Sequence, residues 1–103
     1  MKLCRVGEAG KEKPAIIDKD GTYKDLSSVL KDFNPDTLNF ETLEKIKKID
    51  ISKLPSCDKN LRIGPCVSKP SKFLGIGLNY RDHAIEQNLP IPKEPIIFSK
   101  FTS

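Results

Sequence analysis

The chain has 103 residues, a formal net charge of +4 at pH 7, and 37% hydrophobic and 31% charged residues. This balance supports a modest core, excludes a disordered chain, and suits one domain or a small domain plus part of another. No apolar run approaches membrane-spanning length, and the opening MKLCRVGEAG lacks an apolar signal region. We therefore expect a cytoplasmic protein with no membrane partner.

Residues 1–66 predict a small α+β domain that begins with a hairpin. The segments 2–7 and 14–18 have strand-like apolar patterns. The dipeptide Asp20-Gly21 then predicts a tight turn, and Thr22-Tyr23 predicts the start of a returning strand.

Residues 40–49 predict a helix with Asn39 as its N-cap. Its apolar face would carry Phe40, Leu43 and Ile46. The basic residues concentrate on and just after this helix, at positions 45, 47, 48 and 53. Because glutamates precede them at pairing distance and no aromatic residues lie among them, we interpret them as a solvated face and expect no nucleic-acid partner.

The cysteines, at positions 4, 57 and 66, lie far apart and form no C-x-x-C pair. An odd number in this arrangement fits a reducing compartment, so we interpret all three as small apolar residues. No zinc site is predicted from them, because His83 is the single histidine and has no paired ligand beside it.

A change in composition predicts a domain boundary near residue 67. Beyond it, residues 73–78 predict a buried strand, residues 79–88 a helix or helical loop, and residues 96–101 another strand. Two strands and one helix are too few to close a core, so we expect the polypeptide to continue past residue 103.

Two glycines, Gly75 and Gly77, follow an apolar run as in a dinucleotide-binding fingerprint. The third glycine of that motif would fall at position 80, which is a tyrosine, so the fingerprint fails. We instead expect the two glycines to allow close backbone packing at the end of a strand.

His83 and Glu86 are the residues best suited to catalysis. In a helix their i,i+3 spacing places them on one face, where a carboxylate orients an imidazole that takes a proton from water. The alternative is a surface pair with a structural contribution of only a few tenths of a kcal/mol.

The surrounding sequence carries a resemblance. The run G-L-N-Y-R-D-H-A-x-E, followed by P-x-P-x-E-P-I-I-F-x-K, resembles the start of the catalytic domain in the fumarylacetoacetate hydrolase (FAH) family. Residues 1–66 are similar to that family's small N-terminal domain. The resemblance implies an α+β protein in which residues 67–103 begin an incomplete domain of the mixed β-sandwich or β-roll type.

The resemblance also implies roles for individual residues. His83 and Glu86 match a catalytic dyad on a mobile helical lid, which activates a water for attack on a carbonyl. Four neighbouring residues of the motif would mainly shape the site; they are Asn79, Tyr80, Arg81 and Asp82. The first three of them, together with Lys100, would bind substrate. Lys100 matches a family lysine, although a strand residue that points into solvent is an equal interpretation.

Family members bind a divalent cation through an E-x-E pair and a later aspartate. The resemblance implies Mg²⁺, or Mn²⁺ or Ca²⁺, in the complete enzyme, but the chain contains no E-x-E and no metal ligands are predicted in it. It further implies a homodimer that hydrolyses, decarboxylates or isomerises a small dicarboxylate or diketo acid, such as an acylpyruvate, an oxaloacetate-like acid or a 2-hydroxy-dienedioate. The alternative is a non-catalytic remnant that serves in binding or oligomerisation.

Overall fold

A computed structural model describes residues 1–101 and confirms the α+β class. The chain divides into two compact units, one formed by Met1–Lys69 and the other beginning at Pro70. The last residues of the first unit are held by the backbone, because the Ser68 N–H donates to the Phe33 carbonyl at 2.6 Å. The boundary expected near residue 67 stays a prediction about domains.

The first unit contains an antiparallel sheet in the order β1-β2-β3. Its strands are β1 (Lys2–Val6), β2 (Lys13–Ile17) and β3 (Tyr23–Asp25), which confirms the predicted hairpin. Asp20-Gly21 lies in the turn between β2 and β3, where the Gly21 N–H donates to Asp18 at 3.0 Å. Gly21 has a φ of +83°, a conformation that glycine adopts without steric cost.

Both faces of this sheet are covered. On one face Ile16 packs with Leu26, Phe33 and Ile46 in the main core. On the other, Cys4, Val6 and Ala15 form a smaller cluster with half-buried apolar neighbours. Strand alternation accounts for the division, since successive side chains point to opposite faces.

The helix α1 spans Phe40–Lys47, and its N-cap is Asn39, as predicted. The Asn39 side chain accepts a hydrogen bond from the Thr42 N–H at 2.8 Å. Ile46 is buried, but Phe40 is 88% exposed, so its predicted place on the packed face is wrong. Phe40 is the first residue of α1. The residue of this helix that joins the buried core cluster is Ile46, which lies in its last turn.

Arg5 is a buried charge on β1, only 6% exposed. Its guanidinium donates from Nε to Asp32 Oδ1 at 2.7 Å and from Nη2 to Oδ2 at 3.0 Å. Nη1 donates to the Pro65 carbonyl at 3.1 Å, and Glu12 Oε2 lies 3.4 Å from Nη2. The bidentate pair with Asp32 and the hydrogen bond to Pro65 therefore connect β1 to two segments that are distant in sequence.

The three cysteines are free thiols. Cys4 is buried and Cys57 half-buried, and burial raises the pKa of both thiols. Cys66 is exposed, so it does not contribute to the core as the other two cysteines do.

The second unit is a β-hairpin with a helix in its connection. Its elements are β4 (Phe73–Gly77), α2 (Arg81–Glu86) and β5 (Ile96–Lys100), and β4 pairs antiparallel with β5. The apolar side chains of β4 are exposed, at 53% for Phe73, 57% for Leu74 and 44% for Ile76. Within the described residues 1–101 the apolar side chains of β4 stay exposed, so the predicted burial of residues 73–78 is wrong.

Across residues 1–101, neither helix has the length and apolar character needed to cross a bilayer.

Candidate functional site

The motif residues lie where β4 turns into α2. Leu78 has a φ of +48°, a left-handed conformation that a non-glycine residue adopts only at some steric cost. Tyr80 is the N-cap of α2 and offers no side-chain hydrogen bond to the helix. Its carbonyl accepts the His83 and Ala84 N–H groups at 3.1 and 3.3 Å. The sharp reversal at Leu78 sets the direction in which α2 begins.

The C-terminus of α2 is a Schellman motif. The Asn88 N–H donates to Ile85 at 3.1 Å and the Leu89 N–H donates to Ala84 at 2.9 Å. Asn88 adopts the left-handed conformation that this motif requires, with a φ of +54°. Pro90 then prevents further helix, so α2 is closed at one end by specific residues.

His83 and Glu86 both lie on α2, and both are exposed. Among residues 1–101, no hydrogen bond or ion pair joins them. The imidazole Nε2 instead lies 2.5 Å from Nε2 of Gln87, one helical turn away. Gln87 was not among the predicted site residues, although its i,i+4 spacing from His83 is visible in the sequence.

A cleft of about 400 Å³ adjoins the turn between β4 and α2. Asn79 lines it together with Lys93 and Glu94 from the connection into β5. The other motif residues are exposed but do not line this cleft; they are Tyr80, Arg81, Asp82, His83 and Glu86. One predicted substrate-binding residue therefore lies in a concave site, and the proposed dyad lies on open surface.

Lys100 is the last residue of β5, and its side chain lies over two aromatic rings of the hairpin. Its Nζ is 5.9 Å from the ring centroids of both Phe73 and Phe98. This geometry is a pair of cation–π contacts at an exposed position. Within the described residues, Lys100 makes no hydrogen bond or ion pair with the motif on α2.

Gly75 and Gly77 lie opposite large side chains of β5. A Cβ at Gly75 would lie 2.6 Å from Cε2 of Phe98, and one at Gly77 would lie 3.2 Å from Cγ2 of Ile96. The two glycines therefore allow close approach of side chains from β5. Gly77 ends β4, as predicted, whereas Gly75 lies in the middle of the strand.

The residues do not fit a divalent-cation site. In the part of the chain that the structure describes, no group of three or more His, Cys, Asp and Glu side chains could hold a metal ion. Hard cations need several oxygen ligands in a defined geometry, and no such set is assembled here.

No protein-family model matches the chain. Similar proteins occur in Burkholderia ambifaria, Burkholderia lata and Burkholderia multivorans, each named "Putative hydrolase". Each is 48% identical over 103 residues, which is all of this chain and 36% of the relative. The chain therefore spans little more than a third of the length of these curated relatives.

Proposed function

We propose that this chain supplies the general-base pair of a hydrolase of the FAH family. The observation that carries the proposal is the position of His83 and Glu86 on one short, exposed helix directly after β4. The motif around them resembles that family, and the name shared by the relatives, at 48% identity, supports hydrolysis as the reaction.

The proposed reaction begins with His83. The neutral imidazole takes a proton from water, and the water oxygen attacks the carbonyl carbon of the substrate. The bond to the neighbouring carbon then breaks, its electron pair leaves with that carbon as an enolate, and the imidazolium returns the proton to it. Glu86 reaches the imidazole by a change of side-chain rotamer and stabilises the positive charge.

The substrate would be a small diketo acid or dicarboxylate. An acylpyruvate undergoes the hydrolysis just described. An oxaloacetate-like acid would instead lose CO2 to leave its own enolate, which the imidazolium protonates, and a 2-hydroxy-dienedioate would isomerise by moving a proton on its dienolate. Arg81 offers a guanidinium for a substrate carboxylate, and the Asn79 amide in the cleft offers both a donor and an acceptor.

The magnesium that the resemblance implies does not fit the described residues. Its ligands would be outside residues 1–101, and no step above depends on it. A homodimer remains part of the same proposal.

Three variants test the function in the protein as its gene encodes it: His83→Ala, Glu86→Ala and the double variant. We expect each single variant to reduce turnover of acylpyruvate, oxaloacetate or a 2-hydroxy-dienedioate by about a hundredfold to ten-thousandfold. Because the two residues act as a unit, the double variant should be little worse than the worse single variant. Glu44→Ala, on the exposed surface of α1, is the control. Wild-type turnover in His83→Ala would remove the dyad from the mechanism.

A second candidate function is an interaction module without catalysis. It is favoured by the exposed apolar residues of the hairpin, such as Leu74 at 57% and Ile97 at 62%. Sedimentation velocity separates the two functions: self-association that Leu74→Lys abolishes, with no turnover of any substrate above, would favour the module.

A further inference from the structure

We infer that Gln87 is a positioning residue that sets the tautomer of His83 and thereby determines which ring nitrogen is the base. The inference rests on the proposed function only in taking His83 as the base; the tautomer of the imidazole does not depend on it. Its geometric basis is the 2.5 Å contact between the side-chain Nε2 of Gln87 and the ring Nε2 of His83.

The backbone of Gln87 is held in place by the helix it terminates. Gln87 is the C-cap of α2, and its N–H bonds to the carbonyls of His83 and Ile85. The two Schellman hydrogen bonds fix the turn that follows it. The amide therefore starts from an anchored position about one turn beyond the imidazole, and the i,i+4 spacing brings the side chains together.

The chemistry of the contact assigns the proton. An amide nitrogen has two N–H donors and no acceptor, so the imidazole Nε2 must accept the hydrogen bond. A neutral imidazole that accepts at Nε2 carries its proton on Nδ1. Gln87 therefore leaves the basic lone pair on Nε2 and presents the Nδ1–H as a donor.

This tautomer is the one that the dyad needs. Nε2 is the nitrogen that would remove a proton from water. The Gln87 amide N–H holds its lone pair until a water O–H displaces the amide. The Nδ1–H would donate a hydrogen bond to the Glu86 carboxylate once the Glu86 side chain changes rotamer. Gln87 contributes no proton to the reaction, and its role is to hold the imidazole ready in the correct form.

The test uses nitrogen NMR of the 103-residue chain, because the sequence contains one histidine and one glutamine. Imidazole ¹⁵N shifts distinguish Nδ1–H from Nε2–H directly when the spectra are recorded above the usual titration range of histidine. We expect Nδ1–H in the wild type. Gln87→Met removes the donor at nearly equal length and should make Nε2–H the major form. Gln87→Glu presents an acceptor and should also favour Nε2–H.

Glu44→Met, an exposed change on α1, is the matched control and should leave the imidazole shifts unchanged. Amide shifts of residues 81–89 in each variant establish that α2 is still folded. A wild-type spectrum with Nε2–H overturns the inference, since it requires the amide oxygen to face the ring. So does an unchanged spectrum in Gln87→Met with α2 intact. Because no substrate is present, these outcomes are independent of turnover, and loss of the proposed function would leave the tautomer result standing.

Discussion

The ring of Phe98 on β5 lies directly against the backbone of Gly75 on β4. The two residues are paired in the antiparallel register, and a Cβ at Gly75 would collide with the ring. The glycine is therefore required by a cross-strand neighbour; its φ is not in the left-handed region. The same Phe98 ring and the ring of Phe73 both lie within cation–π distance of Lys100 Nζ.

Gly75→Ala should displace the Phe98 ring and weaken the hairpin by about 1 kcal/mol, the size of a good cross-strand pair. Hydrogen exchange of the β4 and β5 amides measures this local loss. In addition, the Gly75 Hα resonance of the wild type should show an upfield ring-current shift that disappears in Phe98→Ala.

Gly77→Ala is the matched control, because its Cβ would lie 3.2 Å from the Ile96 methyl group, a tight but adjustable contact. We expect a smaller loss of protection than in Gly75→Ala. Equal protection in both variants and the wild type would contradict the role of the Phe98 ring.

Local signals predicted much of the first unit. The Asp20-Gly21 turn and the Asn39 cap depend on neighbouring residues alone, and both were found in the sequence. The exposure of Phe40 and of β4 was not predicted, because burial depends on which surfaces meet after folding. A periodic apolar pattern shows that a face could pack and does not identify its partner.

Asp32→Asn should lower the free energy of unfolding of the first unit by about 2 kcal/mol. The change removes the charge that pairs with Arg5 at 2.7 and 3.0 Å and leaves the buried guanidinium with Glu12 at 3.4 Å. Losing one partner of a buried ion pair is costly because the remaining charge stays desolvated. Urea unfolding, monitored by amide signals of residues 2–33, measures the loss.

The control is Glu44→Gln, which breaks the exposed pair between Glu44 and Lys47. Exposed pairs of this kind contribute about 0.5 kcal/mol or less. A loss in Asp32→Asn no larger than in this control would show that the Arg5 pair is not a main source of stability.

Stability should also decrease in acid through Asp32. Burial alone would raise the pKa of this carboxyl, but hydrogen bonds from Arg5 and from the Phe33 N–H outweigh burial and hold the pKa below its ordinary value. Because the folded pKa is lowered, the stabilisation is complete above the unfolded pKa of about 3.9 and is lost as pH falls through the folded value.

Thermal unfolding between about pH 6 and pH 2 tests this dependence. Asp32→Asn should show a shallower decline in melting temperature below about pH 4 than the wild type. The pKa of exposed Asp20 is also lowered, chiefly by hydrogen bonds with Thr22, but Asp20 is present in both proteins and its effect cancels. Parallel curves would mean that other carboxyls account for the acid sensitivity.

The helical conformation of the motif was predicted. The motif placed His83 and Glu86 on a helix, and α2 is that helix, because helical spacing is a local property. The contact between His83 and Gln87 was not predicted, because residues three and four positions along a helix are both within reach of the imidazole and spacing does not decide between them. The Arg5 pairing was missed for a different reason: Asp32 is separated from it by 27 residues and only the folded sheet brings them together.

The end of α2 provides the last prediction. Asn88 has a φ of +54° at the position of a Schellman motif where glycine and asparagine are preferred. Asn88→Gly should therefore keep the helix end, since glycine adopts this conformation without steric cost. Asn88→Val should destabilise it by about 1 to 2 kcal/mol, because a left-handed β-branched residue brings its Cβ against the backbone.

Hydrogen exchange of the Asn88 and Leu89 amides, which donate to Ile85 and Ala84, measures the effect. In Asn88→Val we expect both amides to lose protection and the His83 nitrogen shifts to move toward Nε2–H, because the backbone that anchors Gln87 is no longer held. Asn88→Gly should retain the Leu89 protection and the wild-type imidazole shifts. If Asn88→Val kept the protection of Leu89, the Schellman hydrogen bonds would not be what terminates α2. If protection were lost and the imidazole shifts stayed the same, the anchored turn would not be what brings Gln87 to His83.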